Sequence, residues 1–454
     1  MKKLLGFSSS TLSVAIINLI SLMILTRLFT PADYGKANLL ISYAVVISTI
    51  VSFAVDQVLI HFYYRVSLKS ILTNYFKYSI IISVILGTIL FLISSSISFN
   101  KIDIFLTLFY SIALVNNKVF LTLFRMNNDA QNYFIQTSLS KVIELTLIIS
   151  FVYTFSEDYQ TLLFPFIVSV ILVSIFQLKS ISNIIKSSLY KEQINIREQI
   201  TFSFPMLFSI LLTTLTQNVD KFAVSQFVSN KEMGYYYTSF KLIGIISIVY
   251  TVISLVWVPK AVKISDSEEE RDTYYYEITS QIFQIIACCI IIFYLLFKDL
   301  IIEVLGNDFG GSSHLLDILM IIPIVMIMSE VYSTFITIKR KTSYHLFISI
   351  IILVVNSLAS YILSMVWGVY GAAYSLFLTY LAIYICRLLF FKKISHQHKK
   401  IKVADVTGFI ILIFLLMNSL LHIKWITIIL TVILLNFLIM FSRHQFKYFM
   451  KSIL

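Results

Sequence analysis

Residues 277–297 read EITSQIFQIIACCIIIFYLLF, and Glu277 at its first position is the one charged side chain in the stretch. About 20 consecutive apolar residues make a helix that crosses the hydrocarbon core of a bilayer. A helix satisfies its own backbone donors and acceptors, which hydrocarbon demands. Thirteen further stretches read the same way: 4–26, 37–60, 76–97, 102–122, 133–155, 161–182, 200–220, 235–258, 314–337, 343–365, 368–391, 404–423 and 425–442. The expected fold is an all-α integral membrane protein of about fourteen transmembrane helices. Composition agrees. Of 454 residues, 58% are hydrophobic and 13% charged, where a soluble domain carries about 25% charged residues. The mean hydropathy is +0.89. These values exclude a disordered chain and a soluble enzyme. The longest polar stretch, 183–199, is too short for a soluble domain, so function resides in the helix bundle. The apolar run that opens the chain continues to Thr26 without a small-x-small cleavage pattern, which favours a retained first helix over a signal peptide.

Lys and Arg number 35 against 23 acidic residues, a net charge of +12. With the N-terminus placed inside, 24 basic residues fall in inner segments and 7 outside: Arg27, Lys36, Lys101, Lys221, Lys231, Lys298 and Lys424. This bias predicts both termini in the cytoplasm and an even number of spans. It also accounts for the positive charge without a nucleic-acid partner. Cys288, Cys289 and Cys386 lie in apolar stretches with no Cys-x-x-Cys pair, and read as packing residues. Gly35-Lys36 lacks the earlier glycine of a nucleotide-binding loop. His61, His314, His345, His396 and His398 form no His-Glu-x-x-His pattern, and the acidic run 266–270 reads as a solvated loop. No cofactor or resident metal is indicated.

The chain carries an internal echo. Residues 24–35 read ILTRLFTPADYG and residues 223–234 read AVSQFVSNKEMG; with Gly35 set on Gly234, Thr26 meets Ser225, Thr30 meets Ser229 and Asp33 meets Glu232. A fainter echo relates the turns at 125–135 and 339–346. Two six-helix halves follow, 1–185 and 195–392, with 404–442 as two additional helices. An even helix spacing gives both halves one orientation, an arrangement common in transporters.

Four stretches carry a family resemblance: RLFTPADYGKANLL (27–40), NVDKFAVSQFVSNKEMGYYY (218–237), LGNDFGGSSHLLDIL (305–319) and GVYGAAYS (368–375). In this order and over most of the chain, the sequence resembles the Wzx-type polysaccharide repeat-unit flippases of the multidrug/oligosaccharidyl-lipid/polysaccharide transporter superfamily. The resemblance implies two six-helix lobes in a V around a central cavity. It implies a non-enzymatic activity in the bacterial cytoplasmic (inner) membrane. An undecaprenyl-pyrophosphate-linked glycan would move from the cytoplasmic to the outer leaflet by alternating access, for O-antigen, capsule or a related surface polysaccharide. A polysaccharide polymerase and a chain-length regulator are implied partners. The last two spans exceed the twelve-helix core, as in the lipid II flippases.

Such a substrate has an anionic diphosphate, polar sugars and a long apolar tail. Carrying its head through hydrocarbon requires donors and positive charge that replace water. Ionisable residues within spans are therefore the candidates. Lys118 shares a helix face with Ser111 and Thr122, beside Asn117; Lys241 follows Tyr237 and precedes Gly244. Lys141 and Glu144 sit three apart, in contact with substrate or paired with each other. Arg27 is a fourth cationic candidate, at a cavity mouth by the resemblance or as an interfacial anchor. Asp220 (with Thr213 and Gln217), Glu330 (with Ser333 and Thr337), Asp56 (with Thr49 and Ser52) and Glu144 are candidate carboxylates for a coupling cation, Na⁺ or H⁺. Asp56 and Arg387, near span ends, alternatively snorkel to the interface. Competing functions are a multidrug or small-molecule antiporter of the same superfamily and a membrane polysaccharide polymerase. The cationic bias of the mid-span residues weighs against the first, and the short outer segments against the second.

Overall fold

The computed structural model describes residues 2–93, 100–154, 158–187, 192–264, 269–339, 341–395, 403–421, 425, 427–436 and 439. The acidic run 266–270 lies largely outside these residues, as do His396 and His398. The regular elements among the described residues are helical: α1 (Lys2–Leu28), α2 (Pro31–Ser52), α3 (Val55–Phe62), α4 (Leu68–Ile93), α5 (Lys101–Met126), α6 (Ala130–Phe134), a π-helical turn (Ile135–Leu139), α7 (Ser140–Thr154), α8 (Tyr159–Ser187) and α9 (Ile196–Thr216). There follow α10 (Val219–Ser225), α11 (Asn230–Ile246), α12 (Ile248–Ile264), α13 (Glu269–Leu305), a short 3₁₀ turn (Asn307–Phe309), α14 (Ser312–Leu319), α15 (Ile321–Ile338), α16 (Thr342–Ile394) and α17 (Val403–Leu421).

Ten helical stretches are long and apolar enough to cross a membrane, and three shorter apolar helices cover 13–28, 405–420 and 427–436. One of the ten, 343–394, is two of the expected spans joined end to end, broken at Gly368 with φ 57° and ψ −133°. The fourteen expected spans thus have their counterparts. Gly368 adopts a backbone region that side-chain-bearing residues avoid. Three residues on, a Cβ at Gly371 would collide with the Leu363 carbonyl. These two glycines let 342–367 and 369–394 meet closely at a sharp corner.

Two expected spans differ in detail. The stretch 37–60 is not one helix. It ends at Ser52, passes through Phe53 (φ 43°) and Ala54 (φ 55°) in left-handed conformation, and restarts as α3. The stretch 200–220 stops at Thr216, and α10 begins after Asn218.

The repeat has a local physical basis. Thr30 caps α2: its Oγ1 accepts the Asp33 N–H at 3.3 Å and its hydroxyl donates to Asp33 Oδ2 at 2.6 Å. Ser229 caps α11 the same way, accepting the Glu232 N–H at 3.3 Å, while Glu232 Oε2 accepts the Ser229 N–H at 3.0 Å. The aligned positions are N-cap and third helical residue in both copies, so what the echo preserves is a side-chain N-cap, completed to a capping box at Ser229.

Packing divides the chain into two compact units, Met1–Lys221 and Phe222–Leu454. The sequence halves meet at 185–195, but α9 packs on α2 and α3 and so joins the first unit. In the first unit α2, α5 and α8 form the centre, with a core that includes Val58, Leu59, Ile71, Val119, Leu123 and Phe124. In the second, α14 and α15 form the centre, 94% buried over their most apolar window, against α11, α13 and α16. Other helices are apolar yet open: α4 is 17% buried over its window, with Ile80, Val84 and Leu92 outermost. These faces meet lipid. Since lipid tails are as apolar as leucine, helices cohere through close packing and polar contacts rather than apolar burial, which gives the interhelical ion pairs their importance.

Candidate functional site

The first unit gathers four of the eight predicted charges, Lys118, Asp56, Lys141 and Glu144, into one polar seam. Lys118 on α5 reaches α3, with Nζ 3.8 Å from Asp56 Oδ1, and Gln57 Nε2 donates to Asp56 Oδ2 at 2.9 Å. In the sequence the two stood apart, Lys118 without a visible partner and Asp56 as a snorkelling candidate. The packing of α3 on α5 brings them together. The pair is open on the lysine side, with the Lys118 side chain 39% exposed and Asp56 13%. Water screens such a contact, so Lys118 keeps capacity for another anion.

Lys141 and Glu144 take the paired alternative. Nζ donates to both carboxylate oxygens at 3.0 and 2.8 Å, and lies 5.5 Å from the Phe166 ring centre. Between the two pairs runs the π turn, whose extra residue per turn re-aims side chains. Gln136, fully buried, donates to Asn117 Oδ1 at 2.8 Å and to Ser174 Oγ at 3.4 Å. Ser138 meets Ser13 on α1 at 3.1 Å. The seam therefore ties α1, α3, α5, α7 and α8 through neutral and charged contacts alike.

Arg27 sits exposed in the last turn of α1, where positive charge complements the helix C-terminus, and it makes no ion pair among the described residues. Asp220 is buried in the first turn of α10, next to Lys221. Thr49 and Thr214 are in contact at 3.3 Å, joining α2 to α9.

In the second unit Lys241 is half-buried on α11, one turn from buried Tyr237 and Thr238. Glu330 on α15 has both oxygens engaged: the Tyr250 hydroxyl donates to Oε2 at 3.0 Å and the Ser254 hydroxyl to Oε1 at 2.7 Å. Arg387 does not snorkel to the end of its span. It donates to Ser329 Oγ at 2.8 Å and lies within Coulombic reach of Glu330. A cation entering at Glu330 has to displace two hydroxyls and tolerate a guanidinium.

Three ion pairs escaped the sequence reading because their lysines look like loop charges. Lys36 meets Asp103 at 3.3 Å, and the Tyr159 hydroxyl donates to the same carboxylate at 2.8 Å. Lys298 meets Asp317 at 2.6 Å, with the Tyr294 hydroxyl at 2.9 Å. Lys392 meets Asp405 at 2.6 Å. The available signal was on the acidic side: an aspartate inside or at the edge of an apolar span needs a cation from another element.

Residues 24–314 match the sequence profile of the polysaccharide biosynthesis protein family. The chain belongs to that family. No curated protein matches the sequence. Among solved structures, the fold of this family member is similar to "Lipid II flippase MurJ, inward closed conformation", with 15% identity, a TM-score of 0.71, and coverage of 97% of this chain and 99% of the other. It is also similar to an inward-facing multidrug resistance MATE family transporter of the MOP superfamily, with 14% identity, a TM-score of 0.57, and coverage of 89% and 96%. A mutant of the Vibrio cholerae MATE transporter VcmN follows, at 12% identity, a TM-score of 0.53, and coverage of 89% and 97%. With its helices and these transporter folds, this polysaccharide biosynthesis family member is a multi-pass membrane protein.

Proposed function

We propose that this protein is a flippase that moves an undecaprenyl-pyrophosphate-linked oligosaccharide repeat unit from the cytoplasmic to the outer leaflet of a bacterial inner membrane, for O-antigen, capsule or a related surface polysaccharide. One observation carries the reading: a polysaccharide biosynthesis family member has, over nearly its whole length, the fold of a lipid II flippase. The chemistry of the first unit fits that cargo. Lys118 is held by a screened contact that a diphosphate outcompetes, because a doubly ionised group offers more charge and more acceptors than one carboxylate. Lys141, Lys241 and Arg27 are the further cationic contacts. The head enters from the cytoplasmic side, where both termini lie, and the tail remains in lipid throughout. Neighbouring polymerase and chain-length regulator proteins take over the delivered unit.

Coupling to Na⁺ or H⁺ in this scheme uses a carboxylate from among Asp220, Glu330, Asp56 and Glu144. The MATE-like fold keeps drug antiport as the second reading, but the family match favours a glycan cargo.

The deciding experiment uses a strain lacking this protein. Complete undecaprenyl-linked repeat units accumulating on the cytoplasmic face support translocation. Unpolymerised units on the outer face make the protein a polymerase and end the flippase reading.

A further inference from the structure

A cleft of about 400 Å³ opens between α4, α5 and α8 on the side of the first unit, away from the polar seam's ion pairs. Its lining is apolar apart from Asn116 and Ser174, and Phe76, Ile171, Ile175 and Leu178 along it are exposed. The depth of the cleft follows from the sequences of its walls. The apolar run of α4 begins at Ile80, just after Lys77, and that of α8 stops at Leu178, just before Lys179. Basic residues at the ends of apolar runs mark the bilayer surface, so the cleft straddles the boundary between acyl chains and headgroups.

Both lysines are exposed beside the cleft. Lys179 stands one turn from the lining residue Ile175, hence on the same face, and Lys77 follows Phe76 on the adjoining face of α4, at the rim of the cleft. Lys69 and Lys186 extend the positive charge toward the same end of the bundle, where α4 begins and α8 finishes. Of the acidic residues at that end, Asp129 has its carboxylate occupied by the Asn132 N–H at 3.1 Å and the Asn132 side-chain amide at 2.7 Å, while Glu192 and Glu198 stand at the start of α4 and on α9. Asn116, inside the span of α5, makes no side-chain hydrogen bond to another described residue.

We propose that this cleft is a binding site for one anionic phospholipid, with its phosphate between Lys77 and Lys179, an ester carbonyl at the Asn116 amide and the upper part of one acyl chain against Phe76, Ile171 and Ile175. Water gains little in a cleft with two polar side chains, whereas an acyl chain fills it. The volume sits at the lower end of ligand pockets, which run from about 300 to 1,000 Å³. It takes part of one acyl chain and not a whole undecaprenyl tail. The lysines supply the charge complementarity that selects anionic over zwitterionic headgroups. The site stands independently of the transport reading.

The test uses the full-length protein in lipid nanodiscs containing phosphatidylglycerol or phosphatidylcholine with the same photoreactive acyl chain. Crosslinked peptides are mapped by mass spectrometry. Phosphatidylglycerol is expected to label 113–123 and 170–185 several-fold more than phosphatidylcholine. Removing either lysine, Lys77→Gln or Lys179→Gln, should lower that labelling roughly fivefold, and removing both should bring it to the phosphatidylcholine level. Both side chains are exposed, so the variants keep the fold. Three results overturn the proposal: equal labelling by the two lipids, labelling indifferent to the double substitution, or displacement of phosphatidylglycerol by unlabelled undecaprenyl phosphate, which would give the cleft to the isoprenoid tail.

Discussion

Lys118 and Lys298 both meet an aspartate on another helix, and the two contacts differ in length and exposure. Lys298 lies 2.6 Å from Asp317, the side chains are 13% and 2% exposed, and the Tyr294 hydroxyl completes the carboxylate. Lys298→Met leaves a buried charge uncompensated, at a cost of about 3–5 kcal/mol. Adding Asp317→Leu removes that charge and should recover most of the loss. Recovery stays incomplete because the buried Tyr294 hydroxyl then lacks its acceptor, worth about 1–3 kcal/mol. Lys118, at 3.8 Å from Asp56 and 39% exposed, makes a screened contact. Lys118→Met should therefore cost no more than about 1 kcal/mol, yet abolish glycan export. The assay is paired: thermal unfolding of each purified variant in detergent, and surface polysaccharide in cells complemented with it. The reasoning fails if Lys118→Met destabilises as much as Lys298→Met, since Lys118 would then be structural, or if it exports like the wild type.

Lys241→Ala should likewise abolish export with membrane insertion intact, checked by surface polysaccharide and by the amount of full-length protein in the membrane fraction. Gly371→Ala drives a methyl into the Leu363 carbonyl and should destabilise by about 1–3 kcal/mol or more, read as a lowered unfolding temperature. Thr30→Ala and Ser229→Ala each remove a cap worth about 0.5–2 kcal/mol; because the caps are local and far apart in the chain, their effects should add in the double variant.

Hydropathy made the fourteen spans legible, because each needs only a run of apolar residues. The helix caps at Thr30 and Ser229 were legible as a repeat, because their partners lie three residues away. The corner at Gly368 was visible as a glycine opening a late span. The break at Phe53–Ala54 was not: neither residue announces a left-handed backbone, and no glycine or proline stands between Val51 and Gln57. The π turn at 135–139 has no sequence mark either. The site was half legible. Single charges inside apolar spans identified Lys118, Lys141, Glu144 and Glu330 as notable, but their partners were visible only for the pair three residues apart. Asp56 lies 62 residues before Lys118 and Tyr250 80 before Glu330, and such pairings are decided by packing.

The two helix caps also bear on the order in which the protein is made. A helix start sealed by its own third residue asks nothing of later sequence, so α2 and α11 can enter lipid as soon as they leave the ribosome. Lys298 differs: its countercharge is synthesised 19 residues later, on α14. The charge at the end of α13 thus has its partner only once α14 is made, so a mutated α14 leaves that lysine without its countercharge.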